Sequence, residues 1–215
     1  MTGTPQAAQG RLSGFGNHFS SEAVPGALPQ GRNSPQRAPF GLYAELLSGS
    51  AFTAPRHANQ RAWLYRRQPS VRSGPYAALP PSLLKTGARD GVDIPPDPLR
   101  WHPIPLAAEP LDFVDGLRTM VLNGDPDAQV GVAVHLYGAS RPMGNRAFVD
   151  VDGELLLIPQ EGALRVTTEL GVLHAAPGEI VLLPRGMLFK VDPAVAGEPV
   201  RGYVCENYGA AFRLP

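Results

Sequence analysis

The second half of the chain, from Leu111 onward, alternates apolar residues with polar or small ones in short runs. The clearest run, residues 130–138, places Val130, Val132, Val134 and Leu136 on one face and Gly131, Ala133, His135 and Tyr137 on the other. A period of two residues is typical of a β-strand with one buried face, whereas an amphipathic helix repeats about every 3.6 residues. We therefore predict a half-buried strand at this place.

Further strands are predicted along the same half, with turns between them. They cover residues 148–151, 154–158, 163–170, 179–183, 187–191 and 200–207. Asp152-Gly153 separates the first two and is a strong signal for a short hairpin. Strands that recur about every 8–12 residues, with almost no helical periodicity, are typical of a β-sandwich or jelly roll. The predicted fold class is therefore all-β.

Proline dominates the first half, where sixteen of the 24 prolines lie at or before Pro110. Long regular elements are excluded there, because proline lacks an amide proton and fixes its φ angle. Residues 41–53 and 61–66 nevertheless carry aromatic and aliphatic residues suited to two short strands. A connection as long as residues 69–110 is unusual inside a compact domain, so we expect it to wrap the barrel or reach a neighbouring subunit. We divide the chain into a long Pro/Gly-rich N-terminal arm with short strands, residues 1–110, and a barrel, residues 111–215, within one structural domain.

Composition supports a folded β-rich chain and narrows its partners. Of the 215 residues, 43% are apolar and 18% charged, with 24 glycines and 24 prolines, which suits short strands joined by turns. The formal net charge is zero, which argues against a general affinity for nucleic acid or anionic membranes. Residues 1–10 lack the basic start and apolar run of a signal peptide, and no apolar run approaches the ~20 residues of a membrane span. We expect a cytoplasmic location.

The five histidines form no local metal motif. They are His18, His57, His102, His135 and His174, with no pair at i+2 or i+4. Two histidines and a carboxylate could meet as a metal-binding triad only through the fold. His135 lies on a predicted strand, where a hydrogen-bonded structural role is favoured and a functional role stays open. The structural interpretation is also favoured for the other four.

Three other features carry weak chemical signals. Cys205 lies in an apolar run with no histidine nearby, so we interpret it as a buried structural thiol rather than a nucleophile. A basic cluster interleaved with Trp63 and Tyr65 is interpreted as an interface or solvated face rather than a nucleic-acid site. Its members are Arg56, Arg61, Arg66, Arg67 and Arg72. Gly14-Phe15-Gly16 lacks the strand–turn–helix setting of a phosphate loop.

The spacing of residues 178–189 resembles the second motif of the cupin barrel. Gly178, Pro184 and Gly186 occupy the glycine, proline and glycine positions of that motif. Its last position, a histidine ligand in metal-binding cupins, is Phe189 here. The resemblance therefore implies a barrel that keeps its turns and lacks this metal ligand.

The first cupin motif is also present only in outline. If Gly162 is its glycine, the glutamate position falls on Leu155. Glu154 lies one residue away, and a shift of one residue in a strand points the side chain to the opposite face. The two histidine positions fall within residues 148–151, which contain no histidine. A degenerate, cupin-like jelly roll packed with apolar side chains is the expected result.

Longer segments resemble homogentisate 1,2-dioxygenase, in order and along essentially the whole chain. They are Ser13–Asn17, Leu42–Thr53 with Pro55-Arg56, Arg61–Arg66, Leu99–Trp101, Asp112–Leu117, Ile158–Gly162, Arg185–Met187, Arg201–Tyr203 and Asn207–Pro215. Leu46 departs from the glutamine usual in the family, and His18-Phe19 departs from the acidic residue common after the first segment.

The resemblance implies a function for the whole enzyme. Family members use Fe(II) and O₂ to open the ring of homogentisate, giving maleylacetoacetate, in the breakdown of tyrosine and phenylalanine. They are cupin-fold homohexamers, built as a dimer of trimers. Their iron ligands, two histidines and a glutamate, and their catalytic histidine base lie in a C-terminal half.

No residue of this chain matches those catalytic, cofactor-binding or metal positions, so none is assigned. We expect the chain to be the N-terminal domain, to require the C-terminal catalytic domain as its partner, and to bind no iron and be inactive alone. A stand-alone cupin domain for binding or assembly is the alternative. A weaker possibility is a metal held through unconventional ligands such as His135.

Overall fold

A computed structural model describes residues 12–13, 19–20, 24–28, 38–51, 53–80, 82–85 and 102–213. The chain separates into two compact units. The first holds Met1–Ala78 and Thr167–Leu173, and the second holds Leu79–Val166 and His174–Pro215. The division expected at residue 110 stays a prediction.

Strands make up nearly all the regular structure of the described residues. They are β1 Leu12–Ser13, β2 Phe19–Ser20, β3 Tyr43–Ser48, β4 Arg61–Arg66, β5 Leu117–Asp125, β6 Val130–Ala139, β7 Phe148–Val149, β8 Glu154–Glu161, β9 Leu164–Thr168, β10 Gly171–Ala175, β11 Val181–Leu183, β12 Leu188–Pro193 and β13 Val200–Asn207. The helical segments described are two short 3-10 turns, Pro39–Gly41 and Arg56–Ala58. The predicted all-β fold class is confirmed.

Two sheets form the barrel. One has five antiparallel strands in the order β11-β8-β13-β6-β5, and the other has four in the order β10-β9-β12-β7. The central strand β13 fixes the register of the larger sheet, since Val204 lies opposite both His135 on β6 and Leu157 on β8.

Aromatic side chains join the two sheets across the core. Phe113 is fully buried, and its ring centroid lies 5.3 Å from that of Tyr137 on β6 and 6.5 Å from that of Phe189 on β12. Leu157, Leu164 and other inward residues are likewise fully buried. Aromatic rings supply large apolar area, so Phe113 couples the sheets strongly.

The turns of the second cupin-like motif are retained. Gly178 and Gly186 have φ angles of +94° and +77°, a region that other residues rarely adopt. The Gly186 amide donates to the Asp150 carbonyl oxygen at 2.6 Å, which ties this turn to the segment before β8. The sequence pattern therefore preserves backbone geometry at these glycines.

The hairpin predicted around Asp152-Gly153 is wrong. β7 pairs with β12, whereas β8 pairs with β11 and β13, so the two strands lie in different sheets. The turn itself forms, because the Asp150 carboxylate accepts the backbone amides of Asp152 at 2.9 Å and Gly153 at 3.0 Å. It carries the chain from one sheet to the other instead of reversing it within a sheet.

The predicted strand at residues 130–138 is confirmed, and its buried face is the smaller and more polar one. Ala133, His135 and Tyr137 are at most 2% exposed, while Val130 and Val132 are 56% and 39% exposed. The strands β5 and β10 had no predicted counterpart.

The predicted strands within residues 41–53 and 61–66 form an antiparallel pair in the first unit. Glu45 lies opposite Leu64, and Leu46 lies opposite Trp63. The same unit includes a second short antiparallel pair, β1 with β2. Within the described part of the chain, no helix has the length and apolar character needed to cross a membrane.

Candidate functional site

The positions that would hold a cupin metal are filled by apolar side chains. Leu155 and Phe189 are only 4% and 3% exposed. The Phe189 ring packs edge-to-face against Phe148, with centroids 5.6 Å apart. Neither leucine nor phenylalanine offers a nitrogen or oxygen atom to a metal. Glu154 is turned away, as expected, and its carboxylate accepts the Phe212 amide at 2.7 Å.

A polar network nevertheless lies inside the barrel, centred on His135. Its Nε2 is 2.9 Å from Glu206 Oε2, and its Nδ1 is 3.0 Å from Thr119 Oγ1. His135 and Glu206 are 1% and 3% exposed, so water hardly reaches the pair. The Tyr208 hydroxyl donates to the same Glu206 oxygen at 3.1 Å. A buried carboxylate requires such partners, because an unpaired buried charge is costly.

The network continues to the segment at residues 82–85. Thr119 Oγ1 accepts the Lys85 amide at 2.8 Å and lies 3.2 Å from the Lys85 carbonyl oxygen. The Thr119 amide donates to the Leu83 carbonyl oxygen at 3.1 Å. The segment is thereby attached to β5, and Leu84 lines the cavity described below.

Asp150 adds a second carboxylate beside Glu206. Burial, followed by the negative charge of Glu206, raises the pKa of Asp150 from 3.8 to about 7. The hydrogen bonds that it accepts from the amides of Gly153 and Asp152 lower its pKa and so offset part of this rise. The shift reflects two acidic side chains held close together and away from water.

A cavity of about 190 Å³ opens above these groups. Its polar lining comes from His135, Asp150, Asp152 and Glu206. The remaining lining is apolar and consists of Leu84, Phe113, Leu117, Phe148, Val149, Val151, Leu155 and Val204. The cavity is thus apolar on most sides and acidic at one end.

The described residues do not fit the iron set that the resemblance implies. Asp150, Asp152 and Glu206 can each bring one carboxylate oxygen within 4.8 Å of the others, but that set contains only hard oxygen donors. Such donors suit Mg²⁺ or Ca²⁺, whereas non-haem Fe(II) sites of this class use two histidines and one carboxylate. Both ring nitrogens of His135 already contact protein partners. Acidic groups of this kind are also common without any ion.

The other predicted histidines do not join this network. His57, His102 and His174 are exposed. His18 and Gly14-Phe15-Gly16 lie outside the described residues. The structural role favoured for His135 agrees with its hydrogen bonds, while a functional role there stays untested.

Cys205 is half-buried on the face of β13 opposite to Glu206, between Val134 and Leu156 on the neighbouring strands. The basic cluster is divided. Arg66 binds Glu45 and Glu169, and Arg61 donates to the Ala51 carbonyl oxygen, while Arg56, Arg67 and Arg72 are exposed.

Sequence reasoning missed Asp150, Thr119, Tyr208 and Glu206 as members of one network. A signal for Glu206 was present, since it shares its strand face with Val200, Gly202 and Val204, all apolar or small. An acid on an inward face needs a partner. The identity of that partner, His135, could not be predicted from the sequence, because Glu206 and His135 lie 71 positions apart.

The raised pKa of Asp150 gives a testable pH dependence. The unfolded chain releases this proton near pH 3.8 and the folded chain near 7, so stability falls as pH rises between those values. Asp150→Asn retains an oxygen for the two amides and removes the charge. We expect the free energy of unfolding of the variant, measured with urea, to exceed that of the wild type by roughly 1–3 kcal/mol at about pH 8. Near pH 4 the two free energies should be equal. Asp127→Asn, at an exposed acid, is the control, and an Asp150 variant less stable at the higher pH contradicts this account.

Comparison with known families decides the chain's relationship. The model of the family described as homogentisate 1,2-dioxygenase N-terminal matches residues 10–215. The chain belongs to this family. The match includes the barrel and most of the first unit, so the resemblance found in the sequence is confirmed as an N-terminal domain of homogentisate 1,2-dioxygenase.

Solved structures with a similar barrel include several cupins. A cupin-2 domain protein from Shewanella frigidimarina is 18% identical, with a TM-score of 0.31, and the alignment covers 35% of this chain and 70% of that one. The cupin domain of Schizosaccharomyces pombe Cnp3 is 14% identical, with a TM-score of 0.36 and coverage of 42% and 60%. A cupin 2 barrel protein from Leptotrichia buccalis is 11% identical, with a TM-score of 0.34 and coverage of 42% and 39%.

Proposed function

We propose that this chain acts as the N-terminal domain of an Fe(II)- and O₂-dependent dioxygenase that opens the ring of homogentisate to maleylacetoacetate. In this proposal the domain supplies scaffold and subunit contacts, and a C-terminal domain holds the iron. The assembly is a cytoplasmic homo-oligomer, a hexamer built as a dimer of trimers.

The observation that carries the proposal is the family match over residues 10–215. The apolar filling of the barrel supports the division of labour. Leu155 and Phe189 cannot bind iron, and the oxygen-only carboxylate group does not suit it. Iron, when bound by the whole enzyme, supplies the activation of O₂, while this barrel contributes a packed support.

The charge of the cavity also argues against homogentisate binding in this barrel. The substrate carries an acetate group and is an anion near neutral pH. The polar end of the cavity presents three carboxyl groups and one imidazole. Like charges at short range in a poorly solvated site repel strongly. The substrate is therefore assigned to the iron-bearing domain.

Turnover measurements test the proposal. The 215-residue polypeptide is supplied with ferrous iron, homogentisate and air, while oxygen consumption and the absorbance of the ring-opened product are followed. We expect no turnover, and we expect turnover from the same polypeptide expressed in frame with a homogentisate 1,2-dioxygenase C-terminal domain. Catalysis by the 215 residues alone would overturn the placement of the site in another domain.

A second candidate is a stand-alone domain for binding or assembly, which the retained polar cavity favours. The genomic reading frame beyond Pro215 separates the two candidates. A stop codon directly after Pro215 favours the stand-alone domain, and a continuing frame favours the dioxygenase. Metal analysis of the purified chain tests the remaining possibility of unconventional ligands, which stoichiometric iron or zinc would support.

A further inference from the structure

The cavity beside His135 combines an acidic end with an apolar interior. Its volume is about 190 Å³, and its polar groups are carboxyl groups and one imidazole. We propose that this cavity binds a small aromatic amine in its ammonium form. The ammonium group lies beside Asp150, Asp152 and Glu206, and the ring lies among the apolar side chains. The inference goes beyond the proposed function and does not depend on it.

The acidic end of the cavity lacks positive charge. Asp150, Asp152 and Glu206 can each bring one carboxylate oxygen within 4.8 Å of the others. Within the described part of the chain, no lysine or arginine forms an ion pair with any of the three, and only the imidazole of His135 contacts Glu206 as a basic group. Carboxylates withdrawn from water need a nearby positive charge or a proton. An ammonium group in the cavity would supply that charge.

Asp152 offers the ligand an oxygen that the protein does not use. Backbone amides donate to the Asp150 carboxylate. His135 and the Tyr208 hydroxyl contact the Glu206 carboxylate. The Asp152 side chain is half-buried, and none of the hydrogen bonds between described residues ends on its carboxylate. Its oxygens can therefore accept hydrogen bonds from an ammonium group.

The apolar interior sets the size and kind of the ligand. Phe113 and Val204 are at most 1% exposed, Leu155 is 4% exposed, and Phe148 lines the same space. An apolar cavity of about 150 Å³ can hold one benzene molecule. The cavity here is larger, so it has room for a benzene ring that carries an aminomethyl group. The rings of Phe113 and Phe148 can pack against such a ligand edge-to-face or in an offset stack.

The cavity is reached from solvent past the turn that precedes β8. Val149 and Val151 belong to its lining, and they are 40% and 68% exposed. The interior residues are almost completely buried, so the ring of a ligand would leave water while its path of entry stays short. Binding therefore needs no opening of the barrel sheets.

Other classes of ligand suit the cavity less well. Mg²⁺ and Ca²⁺ prefer oxygen donors such as these, but a metal ion gains nothing from an apolar interior. An aromatic anion would fill the interior and would be repelled by the carboxyl groups. The combination of acidic end and apolar interior therefore favours an aromatic cation.

Isothermal titration calorimetry on the whole 215-residue chain tests the proposal with ligands of matched size. Benzylamine, benzyl alcohol and benzoate each carry one ring and one substituent carbon, and at about pH 7.5 they are positive, neutral and negative. We expect benzylamine to bind about tenfold or more tightly than benzyl alcohol, and benzoate not to bind. Equal affinities for the three, or binding of Ca²⁺ without binding of benzylamine, would overturn the proposal.

A charge-removing variant locates the bound amine. Asp152→Asn keeps the shape of a side chain that supports no other described residue through a hydrogen bond, so the fold should be retained, as circular dichroism will check. The variant should bind benzylamine about fivefold or more weakly and benzyl alcohol as the wild type does. Asp127→Asn, the same change at an exposed acid, is the matched control. If both variants bind benzylamine equally well, the amine does not lie beside Asp152 and the proposal is wrong.

Proton release provides a measurement that needs no variant. In the free protein, burial and the charge of Glu206 hold the pKa of Asp150 at about 7. The other titratable groups around it in the described structure are Asp152 on the same turn, Tyr208, and His135 on the far side of Glu206. An ammonium group favours the charged carboxylate, so binding near neutral pH should release protons.

The number of protons released follows from the heat of binding in buffers that differ in their enthalpy of ionisation. Binding of benzylamine without proton release would place it away from Asp150 and contradict the proposal. None of these results changes the expected outcome of the turnover experiment, so the two proposals fail independently.

Discussion

Replacing Gly202 with alanine is expected to prevent stable folding of the barrel, or to lower its free energy of unfolding by about 3 kcal/mol or more. Gly202 lies on β13, the central strand of the five-stranded sheet. A Cβ atom there would lie 2.3 Å from the Ile158 carbonyl oxygen and 2.6 Å from the Tyr137 hydroxyl. The first neighbour is a backbone atom on a paired strand, and the second belongs to a ring that is only 2% exposed. Neither atom can move away without disrupting the surrounding packing.

Urea unfolding, or the soluble yield if the variant does not fold, measures this effect. Gly74→Ala is the matched control, since a Cβ atom there meets nothing within 4 Å and its φ angle is ordinary. It should unfold at the same urea concentration as the wild type. If Gly202→Ala were as stable as this control, the close approach of β6, β8 and β13 described above would be incorrect.

Replacing His135 with leucine is expected to lower the free energy of unfolding by about 3 kcal/mol. The substitution leaves Glu206 buried, with the Tyr208 hydroxyl and the neighbouring Asp150 carboxyl group as its remaining side-chain partners. It also removes the contact of Thr119 with the imidazole, although Thr119 still binds the backbone of Lys85. The loss therefore comes from an uncompensated charge more than from lost packing, because leucine fills a similar volume.

A double-mutant cycle separates these causes. Adding Glu206→Gln to His135→Leu removes the buried charge and should restore a large part of the lost stability. His174→Leu, at an exposed histidine on β10, controls for the change of residue type, and it should change the free energy of unfolding only slightly. Equal stability of the single and double variants would mean that Glu206 carries no unpaired charge in the absence of His135.

Much of the barrel could be predicted because its strands alternate and its turns contain glycine. Local pattern fixes which face of β9 is buried, since Leu164 and Val166 are inward and apolar. The pattern could not show that β7 and β8 belong to different sheets. That choice depends on long-range pairing with β12 and β13, and Asp152-Gly153 suits either a hairpin or a crossing between sheets.

The site was harder to predict than the fold. The absence of metal ligands at Leu155 and Phe189 could be predicted, because the cupin motifs place these positions at a fixed spacing from nearby glycines. The network of His135, Thr119 and Glu206 was not visible, because register between distant strands brings these residues together. Alternation alone also left open which face of β6 is buried, and the structure buries the face that carries His135.

The aromatic filling of the barrel has a consequence for when this unit can fold. A metal-centred cupin core ties the order of its interior to metal supply, since binding energy is then part of folding energy. Here Phe113, Phe148 and Phe189 fill the same region with ring contacts. This unit is therefore expected to reach its native structure in a cell starved of iron, so that in the assembly proposed above its folding would not depend on the metal of the C-terminal domain.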